Sequence, residues 1–154
     1  MLLLASVALA APEGLSVGIP LEVDLVGRAW GVRPDLRYAL NQAETQHLRV
    51  ALGLLPGRQY LFVPLSVGWR WTGRPERDWH PIGGAGFEAQ SFWIHDGAPT
   101  LRTAFYADLG VARTVSPALD LAVTASPELT VFGVPGVGLS LRAGLVWTPG
   151  SNPG

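Results

Sequence analysis

Residues 61–71 carry an apolar side chain at every second position, and this alternation constrains the fold more than any other feature of the chain. The alternating positions are Leu61, Val63, Leu65, Val67, Trp69 and Trp71. The positions between them are mostly small or polar: Phe62, Pro64, Ser66, Gly68 and Arg70. Because successive side chains point to opposite faces of a strand, the segment predicts a β-strand with one apolar face. At a rise of about 3.3 Å per residue and a tilt of about 45°, it spans about 25 Å, enough to cross the apolar layer of a bilayer.

The same period-two pattern recurs along most of the chain and predicts eight strands. Their bounds are 15–25, 32–40, 47–54, 61–71, 82–93, 101–111, 119–125 and 137–147. A turn is expected at residues 27–31, and the other connections are also short and rich in glycine, proline or polar residues. Eight strands joined in this way can close an antiparallel up-and-down barrel, which leaves no exposed edge. No long helical period separates the strands, which argues against a parallel α/β fold.

Composition supports strands as the means of entering a membrane. The chain is 48% hydrophobic and its mean hydropathy is +0.26, yet no apolar run approaches the roughly 20 residues of a membrane helix. Closed barrels are the other structure that can span hydrocarbon. The net charge is −1 and the arginines are scattered, which argues against a nucleic-acid surface. The absence of cysteine excludes disulfides and thiolate sites.

Three regions are predicted along the chain. Residues 1–10 resemble the end of a secretory signal, with an apolar stretch before a small-x-small site at Ala8 to Ala10. Residues 14–148 form the barrel. Residues 149–154 form a short disordered tail rich in proline and glycine.

The non-apolar faces are expected to point into the barrel. They are rich in glycine, alanine and serine, and the interior of an eight-stranded barrel has room only for side chains that fill it. They also carry six acids and six bases that sum to zero: Glu22, Asp24, Asp35, Glu88, Asp108, Asp120, Arg33, Arg37, Arg49, Arg70, Arg102 and Arg142. An unpaired buried charge costs several kcal/mol, so a filled interior needs such balance. The apolar faces carry no charge in the predicted strands, as contact with lipid requires.

Large aromatic residues fall near the predicted strand ends on the apolar faces. They are Trp69, Trp71, Trp93 and Trp147. Tryptophan is enriched at both interfaces of a membrane barrel, so these four are predicted to lie at the membrane interface. In a soluble barrel of the lipocalin type the same residues would instead pack in the core.

Four segments together resemble the small outer-membrane β-barrels of the OmpA-like, OmpX-like and OmpW-like group. They are a strand ending in an aromatic-Arg-aromatic group at residues 63–72, a strand start at residues 80–87 that is similar to Pro-aromatic-x-Gly-x-Gly with Ile82 in place of the aromatic, a Ser-Pro turn at residues 115–121, and a terminal strand at residues 138–147. The resemblance covers about residues 15–147.

The resemblance implies a localisation and a set of partners. It implies an integral protein of the cell outer membrane with both termini in the periplasm, in a Gram-negative-type envelope. It also implies contact with outer-membrane lipid and lipopolysaccharide, assembly by the barrel-assembly machinery, a monomeric state, and no cofactor.

The chain contains few residues in an arrangement that catalysis or metal binding requires. Ser91, His95, Asp96 and Glu88 lie close in sequence, as a lipid-modifying enzyme would need, but Ser91 and His95 are about 13 Å apart along a strand. His47, His80 and His95 lie on different segments without metal-ligand spacing.

The sequence therefore favours a membrane barrel with a packed lumen and a structural or surface-interaction role. A diffusion pore is not expected. The alternatives are a secreted barrel binding an apolar ligand, and a lipid-modifying membrane enzyme.

Overall fold

The computed structural model describes residues 14–43, 45–73, 77–94 and 97–149. The predicted signal segment at 1–10, most of the predicted tail, and the residues His95 and Asp96 lie outside these ranges. No helix within the described ranges is long and apolar enough to cross a membrane.

Ten strands account for most of the described chain. They are β1 (Leu15–Asp24), β2 (Ala29–Val32), β3 (Asp35–Ala39), β4 (Gln46–Leu52), β5 (Leu55–Pro56), β6 (Tyr60–Thr72), β7 (Trp79–Ile94), β8 (Thr100–Ser116), β9 (Leu119–Phe132) and β10 (Val137–Trp147).

The strands close into a barrel with eight strand positions around its wall, and each position, here called a stave, is filled by one strand or by two short strands in line. Strands β2 and β3 pair with successive parts of β1, and β4 and β5 pair with successive parts of β6, so each pair forms one interrupted stave. Every neighbouring pair is antiparallel, and β10 pairs with β1 from Val17–Trp147 to Asp24–Ser140. The prediction of an all-β, eight-stranded antiparallel barrel is confirmed.

The two interruptions lie beside prolines. Pro34 separates β2 from β3, and the ladder continues through Arg33 N–H, which donates to the carbonyl of Pro20 at 3.0 Å. Gly53 separates β4 from β5 and donates its N–H to the carbonyl of Pro64 at 2.8 Å. Proline has no N–H to give to a ladder, so a break in the neighbouring stave absorbs the loss. The predictions of unbroken strands at 32–40 and 47–54 are therefore wrong at these points.

Other strand ends also differ from the predicted bounds. The first turn lies at residues 25–28, where Arg28 has a positive φ of 57°, and not at residues 27–31. Strands β8 and β9 extend to Ser116 and Phe132, beyond the predicted ends at 111 and 125. These extensions add Arg113 to the outer face and Glu128 to the inner face.

The apolar faces of the strands point outward. Leu65, Trp69 and Leu141 are 47%, 45% and 44% exposed, whereas the intervening polar side chains are buried. Arg49 and Asp108 are both only 2% exposed. A soluble barrel with an apolar interior would show the opposite pattern.

The two ends of the barrel carry different connections. The terminal mouth is the end at which β1 begins and β10 ends, and it also carries the connections at 40–45, 73–78 and 117–118. The opposite mouth carries the connections at 25–28, 57–59, 95–99 and 133–136.

Candidate functional site

The lumen contains one continuous network of ion pairs, here called the charge network. Its nine members are joined by side-chain contacts within 4 Å: Glu22, Arg33, Asp35, Arg37, Arg49, Glu88, Asp108, Glu128 and Arg142. All nine are buried. They come from β1, β3, β4, β7, β8, β9 and β10 and from the break between β2 and β3, so the network connects every part of the wall except β6.

Asp108 and Arg142 form the centre of the charge network. Asp108 accepts from Arg49 Nη1 at 2.8 Å and from Arg142 Nη1 at 2.9 Å, and it also accepts from the Ser126 hydroxyl. Arg142 Nε lies 3.2 Å from a carboxylate oxygen of Glu22. Asp108 and Arg142 thus have counter-charges and hydrogen bonds, which is the condition for holding ions away from water.

Two branches lead from this centre. On one side Glu22 binds Arg33 at 3.0 Å, and Arg33 binds Glu88. On the other side Arg49 contacts Asp35 at 3.4 Å, and Asp35 binds Arg37 at 2.6 Å. The first branch runs toward the opposite mouth and the second toward the terminal mouth.

Glu128 belongs to the network but was not predicted from the sequence. It accepts from Gln90 Nε2 at 2.8 Å and from the Ser140 hydroxyl at 3.3 Å, and it lies 3.8 Å from Arg142 Nη2. The predicted strand ended at residue 125, before this position. The alternation of Asp120, Ala122 and Thr124 continues through Ser126 to Glu128, and following it past Pro127 would have found the residue.

Three of the predicted lumen charges lie at the mouths and do not join the charge network. Asp24 accepts from the backbone N–H groups of Val26 and Gly27, each at 3.0 Å, and so caps a turn. Arg102 stacks over Phe92, 4.7 Å from the ring centre. Asp120 is half-buried, with its carboxylate 3.9 Å from His80 Nε2.

Arg70 is buried in the lumen, yet it also stays outside the charge network. It is 4% exposed, and no carboxylate of the described residues lies within 4 Å of it. Its Nε has no hydrogen-bond partner. Directly across the β4–β6 ladder it faces His47, whose Nδ1 is also buried without a partner.

An apolar cluster fills the lumen at the opposite mouth. Phe62, Leu55 and Ala29 are at most 2% exposed, and Tyr60 and Phe92 pack against them. The rings of Phe62 and Phe92 are stacked, with centres 4.7 Å apart. This cluster separates the charge network from the opposite mouth, and the predicted lumen of small and charged residues did not include it.

A second apolar cluster and a cavity lie toward the terminal mouth. Ile82, Ala112, Ala122 and Val146 pack together inside the barrel. Beyond them is a cavity of about 310 Å³, here called the vestibule, whose lining includes Arg37, His47, His80 and Asp120. His47 and His80 therefore share a cavity although they lie far apart in sequence. No three metal-ligating side chains of the described chain are grouped closely enough to hold a metal ion.

Glycine allows the strands and an aromatic ring to pack closely in the lumen wall. A Cβ at Gly68 would lie 2.6 Å from the carbonyl oxygen of Ala85 and would overlap the hydroxyl of Tyr106. Tyr106 is 4% exposed and faces Gly86 across the β7–β8 ladder. The absence of side chains at positions 68 and 86 makes the space that this ring occupies.

Aromatic side chains lie on the outer surface near both mouths. Of the predicted interface residues, Trp69, Trp71 and Trp93 are exposed and Trp147 is half-buried. Trp30 and Trp79 are also exposed, although they were not predicted because they precede the predicted strand starts. Arg113 lies 5.5 Å from the ring of Trp79, which places a cation beside an aromatic at the outer edge.

The arrangement considered for an enzyme is not assembled by the described residues. Glu88 points into the lumen and binds Arg33, whereas Ser91 lies on the outward-facing side of the same strand, β7. His95 and Asp96 lie outside the described residues.

A closed eight-stranded barrel with an apolar exterior and a charged, packed interior has the fold of a small transmembrane β-barrel. The chain is similar to the crystal structure of Neisserial surface protein A, with 13% identity and a TM-score of 0.65 over 87% of this chain and 94% of that chain. It is similar to the N-terminal β-barrel domain of Pseudomonas aeruginosa OprF, with 14% identity and a TM-score of 0.67 over 88% and 97% of the two chains.

It is also similar to a de novo designed transmembrane β-barrel, with 20% identity and a TM-score of 0.59 over 88% and 96%. No family model matches the sequence, and no curated protein matches it. The resemblance to small outer-membrane barrels is thus confirmed at the level of the fold.

Proposed function

We propose that the chain is a monomeric integral protein of the outer membrane, with a structural or surface-interaction role and without pore or enzymatic activity. The observation that carries this proposal is the filled lumen. The charge network occupies its middle, and the cluster of Phe62, Leu55 and Phe92 blocks its opposite mouth. A general diffusion pore needs a water-filled channel, which barrels of larger strand number provide.

The outer surface supports the membrane location. Its strands present leucine, valine and aromatic side chains over their middle, and aromatic residues lie near both mouths. Transmembrane barrels have this distribution, because apolar side chains face the hydrocarbon and aromatic side chains lie at the two membrane–water interfaces. Assembly by the barrel-assembly machinery follows from the same location.

Membrane fractionation and planar-bilayer recording test the proposal together. The folded protein is expected in the outer-membrane fraction, with a gel mobility that changes on heating. In planar bilayers it is expected to give no stable open-channel current. Recovery as a soluble folded protein, or regular channel steps from the wild type, would contradict the proposal.

A groove near the opposite mouth fits an anionic membrane lipid. It has a volume of about 860 Å³ and is lined by Arg58, Tyr60, Leu61, Trp93 and Ile94, among others. The exposed guanidinium of Arg58 suits a phosphate, and the adjoining apolar side chains suit an acyl chain. We assign this groove to the phosphorylated glycolipid of the outer leaflet, because the sequence resemblance implies that this mouth faces outward.

The lipid assignment is tested by native mass spectrometry of the barrel with lipopolysaccharide. Arg58→Gln is expected to reduce the bound fraction, and Arg113→Gln, an exposed arginine at the other end, is the matched control. Equal binding by both variants and the wild type would refute the assignment.

A further inference from the structure

A small cavity inside the barrel is surrounded by arginines. It has a volume of about 20 Å³, and its lining includes Arg37, Arg49, Arg70, Arg142 and the carboxylate-bearing Asp35. A cavity of this size holds one water-sized particle. It lies beside the vestibule, with which it shares the lining residues Arg37 and Val146.

The positive charge around this cavity is only partly compensated. Asp35 binds Arg37 and Arg49, and Asp108 binds Arg49 and Arg142. The carboxylates of Glu88 and Glu128 lie toward the opposite mouth, where both accept from Gln90. Four guanidinium groups therefore share the side chains of two nearby aspartates and of Glu22, which also binds Arg33, while Glu128 lies 3.8 Å from Arg142 Nη2.

Arg70 is the residue whose surroundings point to a ligand. It lines the cavity, it is 4% exposed, and it has no carboxylate partner among the described residues. In the β3–β4 ladder Arg37 lies directly opposite Arg49. Arg70 lies on β6, the next strand after β4, so it is close to this pair of like charges. A buried cation in such a place is stabilised by an anion at the centre of the group.

We propose that this cavity binds one small monovalent inorganic anion of chloride size, coordinated by Arg70 with help from Arg37, Arg49 and Arg142. The anion enters through the vestibule at the terminal mouth. The small cavity volume favours a single spherical halide over a tetrahedral oxyanion such as sulfate, which is larger. The site holds the staves of β3, β4 and β6 together where their like charges would otherwise repel.

Thermal unfolding of the purified full chain in zwitterionic detergent tests the site. Unfolding is followed in sodium chloride, sodium bromide and sodium gluconate at equal ionic strength. At ten times the dissociation constant, chloride and bromide are expected to raise the wild-type Tm by about 3–5 °C over gluconate. An equal Tm in all three salts would overturn the proposal.

Two variants separate a specific site from general screening. Arg70→Gln is expected to lose the halide dependence and to unfold in gluconate at or above the wild-type Tm, because it removes an uncompensated charge. Arg113→Gln, on the outer face, is expected to keep the wild-type dependence. Halide dependence that persists in Arg70→Gln would overturn the assignment.

Crystals of the wild type soaked in bromide provide a readout that does not depend on the folding of any variant. An anomalous peak between Arg70 and Arg37 is expected. Diffraction from such crystals without a peak in the lumen would refute the site.

Discussion

Arg49 and Asp108, which are 59 residues apart in the chain, meet inside the barrel with Arg49 Nη1 2.8 Å from Asp108 Oδ2. Strands β4 and β8 are not neighbours in the sheet, so this contact crosses the lumen. The same carboxylate also binds Arg142 on β10. One side chain therefore connects three separate staves of the wall.

Asp108→Asn is expected to be among the most destabilising single changes in the lumen. It leaves Arg49 and Arg142 buried with an incomplete set of counter-charges, and breaking a buried pair from one side costs about 3–5 kcal/mol. The free energy of unfolding by urea in lipid vesicles is the measurement. Asp120→Asn, at a half-buried position near the terminal mouth, is the control and should cost less than about 1 kcal/mol. Similar losses for both variants would contradict a central role for Asp108.

Glu88 and Glu128 are expected to differ in their effect on stability. Glu88 binds Arg33 directly, whereas Glu128 is held mainly by Gln90 and Ser140 and lies 3.8 Å from Arg142. Glu88→Gln should therefore reduce the free energy of unfolding by about 3 kcal/mol, and Glu128→Gln by about 1 kcal/mol. Urea unfolding of the two variants side by side gives the order, and the reverse order would show that Glu128 carries the stronger pairing.

Leu65→Arg tests which face contacts lipid. Leu65 is 47% exposed in the middle of β6, and an arginine at the bilayer midplane of a barrel costs about 2–4 kcal/mol. The variant should assemble poorly into membranes, as judged by the heat-modifiable band in the outer-membrane fraction. Ser66→Ala, at the neighbouring inward position, should assemble normally, because the buried Ser66 hydroxyl has no hydrogen-bond partner to lose. A soluble, folded Leu65→Arg protein would instead support a secreted barrel.

Gly68→Ala tests the close packing around Tyr106. The added methyl would clash with the carbonyl of Ala85 and with the tyrosine hydroxyl, and overpacking of this kind costs about 1–3 kcal/mol. Gly136→Ala is a suitable control, because nothing lies within 4 Å of a Cβ at that position. Urea midpoints in vesicles should fall for Gly68→Ala and stay near the wild-type value for Gly136→Ala. If the urea midpoint fell equally in both variants, the loss of stability would come from the backbone change from glycine to alanine and not from packing against Tyr106.

The fold could be predicted from the sequence because each strand needs an apolar face toward lipid and a small or polar face toward the lumen. Residues 137–147 alternate cleanly, and the predicted bounds of this strand match β10. The pattern fails where a proline interrupts a stave, as at Pro34, and where an inward position carries a large apolar residue, as at Phe62 and Leu55. Those residues fill the end of the lumen. The period-two pattern places Phe62 on the inward face but does not show its packing against Leu55, which lies beyond the predicted strand end at residue 54.

The lumen contacts could be predicted only as a set of charges and not as pairs. The register between neighbouring strands decides which charges meet, and the spacing of residues along the sequence does not reveal that register. Arg49 reaches Asp108 across the barrel while Arg37, directly opposite Arg49 in the ladder, binds Asp35 two residues away. For the same reason the separation of Arg70 from the charge network could not be predicted from a count of acids and bases.

The pairing of β10 with β1 joins the two ends of the described chain along eight residue pairs, from Val17–Trp147 to Asp24–Ser140. Until the last strand arrives, the N–H and C=O groups along that seam have no protein partner, and hydrocarbon offers none. A partly made barrel therefore has no stable place within the bilayer. Insertion into the bilayer and closure of the barrel must therefore be nearly simultaneous. Without β1 or β10 the barrel could not close, and the whole fold would be lost.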